Sequence, residues 1–300
     1  MDLNLYLLFW ICLIGLCLGS FYNVVILRSL SNESIVFPPS KCPKCNHKLY
    51  WWHNIPIFSY LLLRGKCYFC KGKISIQYPI IELLTMILFG LSFLKFGISI
   101  KTLFVILICS CFIIMTVTDI REKLVDCNIA IGLGIAGLIY NYFSLGSAGI
   151  ISSFLGALAG FLILEIIARM GFLFTKSRAM GEADSYVACA IGACFGLNNL
   201  LPILIYSLIS SMIFILPVFF YNKFKSNDKF TCITSVFFLL SVVIYITTAQ
   251  NYLTLAFLFL SGSLLAYAII KGIKDNSNIS YLPFVPALAL GVLFYTAMYF

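Results

Sequence analysis

Four cysteines and two aspartates have the types and spacing that could do chemistry. Cys42-Pro43-Lys44-Cys45 and Cys67-Tyr68-Phe69-Cys70 are two CxxC pairs. The 21 intervening residues (46–66) are one more than the usual zinc-ribbon spacing of about 15–20. Each pair can turn two thiolates toward one tetrahedral ion, and the two pairs together complete a four-cysteine shell around Zn2+. A shell of four sulfurs leaves no open position, so its expected role is structural. Two disulfides or four unligated thiols are the other readings, and a reducing compartment disfavours disulfides. With four thiols available, His47 and His53 read as bystanders. The remaining eight cysteines, Cys12, Cys17, Cys109, Cys111, Cys127, Cys189, Cys194 and Cys232, lie in or beside apolar runs and read as small packing residues.

Asp119 ends one apolar run, in Thr116-Val117-Thr118-Asp119-Ile120-Arg121, and Asp184 opens another, in Met180-Gly181-Glu182-Ala183-Asp184-Ser185. An ionisable group at a membrane edge is costly unless hydrated or paired, and is often functional. If the two carboxylates meet, one keeps a proton while the other activates water, which is peptide hydrolysis without a covalent intermediate. Gly181 and Ala183 remove bulk beside Asp184, so another chain could approach there. Taken singly, each aspartate also reads as a solvated helix end or cap. Asp126, Asp228 and Glu122 fit that reading, while Glu82 and Glu165 are expected to be structural partners on neighbouring helices.

The elements that must hold these residues are membrane helices. Of the 300 residues, 62% are apolar and 10% charged, with a mean hydropathy of +1.03. A soluble chain of this length needs more polar surface, so the apolar excess faces lipid. At ~20 apolar residues per crossing, the candidate spans are 5–27, 79–97, 102–118, 127–143, 147–172, 182–197, 200–221, 230–249, 252–270 and 281–300. The run 182–197 is short, so the expectation is an all-α polytopic membrane protein of about 8–10 transmembrane helices. The first run lacks the basic segment of a cleaved signal peptide and reads as a retained span. Its polar end, Gly19-Ser20-Phe21-Tyr22-Asn23, suggests helix–helix contact.

The net charge of +9 reports topology. Of 20 Lys and Arg residues, only Lys95 and Lys101 fall opposite the rest, a strong positive-inside asymmetry. That asymmetry supports the short span 182–197, and no basic patch suggests nucleic acid. The chain then divides into a first transmembrane helix (1–27), a small cytosolic zinc-knuckle domain built on the four cysteines (28–78) and a polytopic membrane domain (79–300). No internal repeat is apparent in the sequence.

Ordered blocks along most of the chain resemble the type IV prepilin leader peptidase family, a group of GxGD-type membrane aspartic peptidases. They are Gly19-Ser20-Phe21-Tyr22-Asn23-Val24-Val25, the two CxxC pairs, Asn54-Ile55-Pro56-Ile57-Phe58-Ser59-Tyr60-Leu61-Leu62-Leu63-Arg64-Gly65 and Tyr78-Pro79-Ile80-Ile81-Glu82-Leu83-Leu84. Gly181-Glu182-Ala183-Asp184 resembles the GxGD block, and Leu282-Pro283-Phe284-Val285-Pro286-Ala287-Leu288-Ala289-Leu290-Gly291 resembles a Pro-Phe-Gly-Pro block. The resemblance implies catalytic roles for Asp119 and Asp184. It implies cleavage of the leader from type IV prepilins and type II secretion pseudopilins, after a glycine, at the cytosolic face of a bacterial inner membrane. It also implies N-methylation of the new amino terminus with S-adenosylmethionine, an activity associated with the knuckle domain.

The chain departs from the family pattern at Ala183, where the second glycine of GxGD stands, and at Tyr186, where a basic residue is usual. It departs again at Leu124-Val125-Asp126, in place of Ile-Pro-Asp, and over 230–270, which reads as an extra two-helix insertion. Two other readings compete. One is a presenilin-like or signal-peptide-peptidase-like protease, which the CxxC pairs and the Asn54–Gly65 block disfavour. The other is a non-catalytic scaffold or transporter, which would not require the two aspartates to converge.

Overall fold

The computed structural model describes residues 3–31, 33–34, 36–37, 39–175, 181–225, 229–247, 256–257, 260–264, 267 and 284–300. Lys176, Arg178, Asp228, Lys271, Lys274, Leu282, Pro283 and most of the run 252–270 lie outside the described residues. Among the described residues there is no strand, only helices and two isolated bridges. The helices are α1 (Leu3–Ser31), α2 (Phe58–Leu62), α3 (Gln77–Phe96), α4 (Ile100–Glu122), α5 (Cys127–Thr175), α6 (Glu182–Phe195), α7 (Leu197–Lys225), α8 (Lys229–Thr247) and α9 (Val285–Met298). Four of these, α1, α3, α4 and α5, are long and apolar enough to cross a membrane. The expected spans 127–143 and 147–172 form the two arms of α5, divided at Gly146, whose φ of 66° interrupts the helix.

The short run 182–197 forms a helix, and its place explains its length. α6 has 14 residues, roughly 21 Å at 1.5 Å per residue, against a hydrocarbon thickness of about 30 Å. It need not match the lipid because it is enclosed by protein: Asp184, Ser185, Val187, Ala188 and every residue from Ala190 to Phe195 are buried. The arms of α5 clasp it backbone to backbone. A Cβ on Gly192 would collide with the Gly156 carbonyl oxygen, and one on Gly160 would collide with that of Ala188. Such approach is how small residues join helices where lipid supplies no hydrophobic drive. Asn141 reinforces the clasp by donating to Ser153 Oγ and to the carbonyls of Ala193 and Cys194.

The polar end of α1 makes the expected helix–helix contacts. Tyr22 donates to Ser110 Oγ at 2.7 Å, and Asn23 donates to the carbonyls of Gly19 and Tyr78. At the far end of the bundle, Lys95 donates to the carbonyls of Thr296 and Ala297, and Lys101 to a backbone oxygen of Phe300. The two exceptional lysines thus neutralise the carbonyl end of α9, where the helix dipole favours a cation.

The knuckle segment lies at the opposite end, between α1 and α3. The expectation of no internal repeat is corrected here: Lys-Cys-x-x-Cys-x-x-Lys stands at 41–48 and again at 66–73, and the hydrogen bonding repeats with it. The Cys42 amide donates to the His47 carbonyl and Asn46 to that of Cys42. The same bonds recur from Cys67 to Gly72 and from Lys71 to Cys67. Bridges Lys41–Lys48 and Lys66–Lys73 close the two loops. Only Cys42, His53 and Cys67 are buried among the described residues of 33–76, so this segment has almost no apolar core of its own.

Candidate active site and metal centre

α4 carries Asp119 in its last turn, and α6 carries Asp184 in its first. Each is 6% exposed, and the two lie close enough for their charges to interact. The structure therefore brings together the two aspartates singled out by the sequence. Each carboxylate is held by one backbone amide. Gly181 N–H donates to Asp184 Oδ2 at 3.1 Å, and a Cβ on Gly181 would stand 3.5 Å from that oxygen. Val285 N–H donates to Asp119 Oδ2, also at 3.1 Å.

The second bond was not foreseeable from the aspartate blocks. Val285 opens α9, and Pro286 follows within its first turn. The first amides of a helix have no intrahelical partner, so Val285 N–H is free to hold a carboxylate 166 positions away in the chain. The signal was Val285-Pro286, a helix start beside the Pro-Phe block. The Thr116 hydroxyl, buried one turn before Asp119, has no hydrogen-bond partner; nothing in the sequence marked it.

Among the described residues, Asp126, Glu122, Glu165 and Glu82 follow the simpler readings; Asp228 lies outside them. Asp126 Oδ1 accepts the Asn128 amide at 2.9 Å and so caps the start of α5. Glu122 is exposed. Glu165 accepts from Arg169 at 2.8 Å and from Ser185 at 3.5 Å. Glu82 accepts the Ile57 amide at 2.7 Å, tying the knuckle segment to α3. Tyr186, at the usually basic position, faces outward against the Phe161 ring.

The ligand atoms of Cys42, Cys45, Cys67 and Cys70 all lie within 4.8 Å of one another. Tetrahedral zinc–sulfur bonds of about 2.3 Å are compatible with that spacing, so the four thiols fit one ion. Their protonation is already uneven. Amides of Cys70 and Phe69 help bring the Cys67 thiol down to about 7. Cys45, despite the His47 amide, is pushed up to about 11 by desolvation and by the thiols of Cys42 and Cys70. A cation would resolve that competition by favouring four thiolates. Gly72 leaves the necessary room, since a Cβ there would press within 3.3 Å of Cys70 Sγ. His47 lies tilted against the Phe69 ring instead of joining the cluster.

Residues 13–96 match the bacterial peptidase A24 N-terminal domain, and residues 106–216 match the type IV leader peptidase family. Among curated proteins, the chain is 38% identical over 224 residues to a prepilin leader peptidase/N-methyltransferase of Neisseria gonorrhoeae, covering 67% of this chain and 77% of that one. A protein of the same name from Bacillus subtilis (strain 168) is 35% identical over 202 residues, covering 65% of this chain and 76% of the relative. One from Myxococcus xanthus is 34% identical over 194 residues, covering 65% of this chain but only 58% of that longer relative. No solved structure matches. The knuckle-bearing segment and the helices carrying the two aspartates thus match the same group of proteins, and the chain belongs to the type IV leader peptidase family.

Proposed function

We propose that this protein cleaves the leader from type IV prepilins or pseudopilins after a glycine, and then methylates the amino terminus it has exposed. The convergence of Asp119 and Asp184 from separate helices carries the first half of this reading. In the cleavage step, the two carboxyl groups share one proton. The ionised aspartate takes a proton from water as the water oxygen attacks the peptide carbonyl. The protonated one donates to the carbonyl oxygen, giving a neutral tetrahedral diol. Collapse of that diol breaks the C–N bond, and the departing nitrogen receives a proton. Val285 and Gly181 hold the carboxylates through backbone amides, so little reorganisation is needed when charge develops.

The names of the relatives support the second half. S-adenosylmethionine, when bound, would supply the methyl group. The four-cysteine cluster would hold zinc as a structural ion that shapes the knuckle segment and takes no part in hydrolysis. Incubating the purified protein with a prepilin peptide and S-adenosylmethionine, with mass spectrometry of the products, tests both activities. The expected products are a free leader ending in glycine and a mature peptide heavier by one methyl group. An intact peptide would reject the protease reading, and an unmethylated product would reject the second activity.

In this reading the knuckle end, which holds the two aspartates and the basic loops, lies at the cytosolic face of the bacterial inner membrane; the asymmetry of basic residues supports it. A cysteine introduced at exposed Ile98, between α3 and α4, should then react with an impermeant maleimide in intact cells. One at exposed Leu124, between α4 and α5, should react only after lysis. The opposite pattern would invert this orientation.

A further inference from the structure

A cavity of 370 Å³ lies where α1, the knuckle segment and the start of α3 meet. That volume falls in the range of about 300–1,000 Å³ usual for small-molecule sites. Cys42 and Cys67 form part of its wall, and Ser20 and Glu82 also line it. Neither aspartate of the cleavage site contributes to it.

Two lining groups are incomplete as they stand. His53 is 9% exposed and is the only buried residue of 33–76 that is not a cysteine, among those described. Its Nδ1 accepts the Tyr50 amide at 3.1 Å, so a neutral ring carries its proton on Nε2. That Nε2 is buried and has no partner. A buried donor left unsatisfied is costly, and an acceptor on a ligand in the cavity would complete it. Glu82, 5% exposed, presents a carboxylate that accepts the Ile57 amide and a bond from Ser20. No salt bridge engages Glu82 among the described residues. A carboxylate has about four lone-pair sites, so it retains capacity for a cationic group.

The required ligand is therefore a small molecule with a hydrogen-bond acceptor and a positive charge, and with an aromatic part to lie against Tyr60, Tyr68 and Tyr78, which also line the cavity. We infer that this cavity is the methyl-donor site, with the His53 Nε2–H holding an acceptor of S-adenosylmethionine and the Glu82 carboxylate facing its sulfonium. Tyrosine faces favour the same charge through cation–π attraction. The assignment rests on the methyltransferase reading above and gives it a location. It also accounts for a cavity built jointly from the metal cluster and the bundle. Tyr78 lines the cavity and is within electrostatic reach of Arg121, two residues past Asp119. The donor would thus sit near the end of α4, where cleavage would expose the new amine.

The test uses the full-length, zinc-loaded protein in nanodiscs. Calorimetry measures binding of sinefungin, an unreactive and positively charged donor analogue, and of S-adenosylhomocysteine, which lacks the sulfonium charge. His53→Phe should weaken both by tenfold or more. His53→Gln, whose amide N–H reaches the place of Nε2, should restore most of that loss. Glu82→Gln should weaken sinefungin by a larger factor than S-adenosylhomocysteine. Val24→Trp, which fills the cavity from α1 without replacing a knuckle residue, should abolish binding of both. Zinc content and thermal unfolding check each variant's fold. If the parent protein binds and methylates but these variants bind as it does, the donor sits elsewhere and only this assignment falls. If the parent neither binds the analogues nor methylates a cleaved peptide, the methyltransferase reading fails and takes the site with it.

Discussion

Asp119→Asn and Asp184→Asn should each lower the rate of leader cleavage by about 10³-fold or more, in line with the roughly 10²–10⁴-fold contributed by one general acid–base group and the coupling of two. Asn keeps the size of Asp and retains an oxygen that can accept the Val285 or Gly181 amide, so the bundle should survive. What is lost is the ability to take up and release a proton. The double substitution should be hardly worse than either single one, because the pair acts as a unit. Asp126→Asn is the matched control. Asp126 serves as a helix cap, Asn caps as well as Asp does, and cleavage should stay within about twofold, since surface changes of this kind alter stability by under ~0.5 kcal/mol. Initial rates on a prepilin peptide, with helical content read by circular dichroism, decide the matter. Normal cleavage by Asp119→Asn together with loss in Asp126→Asn would move the site. Normal cleavage by both dyad variants would remove the protease assignment.

Cys67→Ser should reduce bound zinc from about one ion per chain to nearly none, with a large and local structural effect. Structural zinc contributes about 10–16 kcal/mol of binding energy that is at the same time folding energy. The knuckle segment has little else to rely on. Two of its three buried side chains, among the described residues, belong to the four-cysteine cluster, while Trp51 is 79% exposed and Leu62 77% exposed. Elemental analysis should show the metal loss. Limited proteolysis should become rapid between 33 and 76, while α1 and α3 stay protected. The glycine contacts joining those two helices do not involve the metal: a Cβ on Gly19 would stand 2.8 Å from the Glu82 Cα, and one on Gly15 would stand 2.9 Å from that of Met86. Because Cys42 and Cys67 also line the cavity, binding of a methyl-donor analogue should fall with the zinc. Cleavage should fall far less, since α4 and α6 hold the aspartates. Purified protein with no transition metal and an undiminished knuckle fold would refute the metal assignment.

How a membrane protein announces itself explains how much was legible beforehand. Apolar runs and the positions of basic residues are properties of the chain alone, because lipid and membrane potential act on each segment separately. The helices over the described apolar runs, the two arms of α5 and the existence of α6 followed from them. The CxxC pairs were legible for a similar reason, since ligand type and spacing within one loop determine whether four sulfurs can meet. Asp119 and Asp184 stood out because carboxylates are rare at apolar run ends. Their resemblance to a family block did the rest.

The tertiary structure alone decided everything that depends on elements distant in the chain. Gly192 looked like an ordinary small residue until Gly156 was placed against it, and that contact is what buries a helix too short to span lipid. Val285-Pro286 marked a helix start but not its partner Asp119, because a backbone N–H is identical at every non-proline position and only packing determines what it faces. His53 read as a bystander to the metal, and it stands outside the sulfur cluster. Its unpartnered nitrogen became visible only when α1 and α3 closed the other walls of the cavity. The sequence determined which groups could ionise, ligate or cross the bilayer, since those are properties of single residues and short segments. The fold determined which of them meet, because buried contacts depend on where remote parts of the chain come to rest.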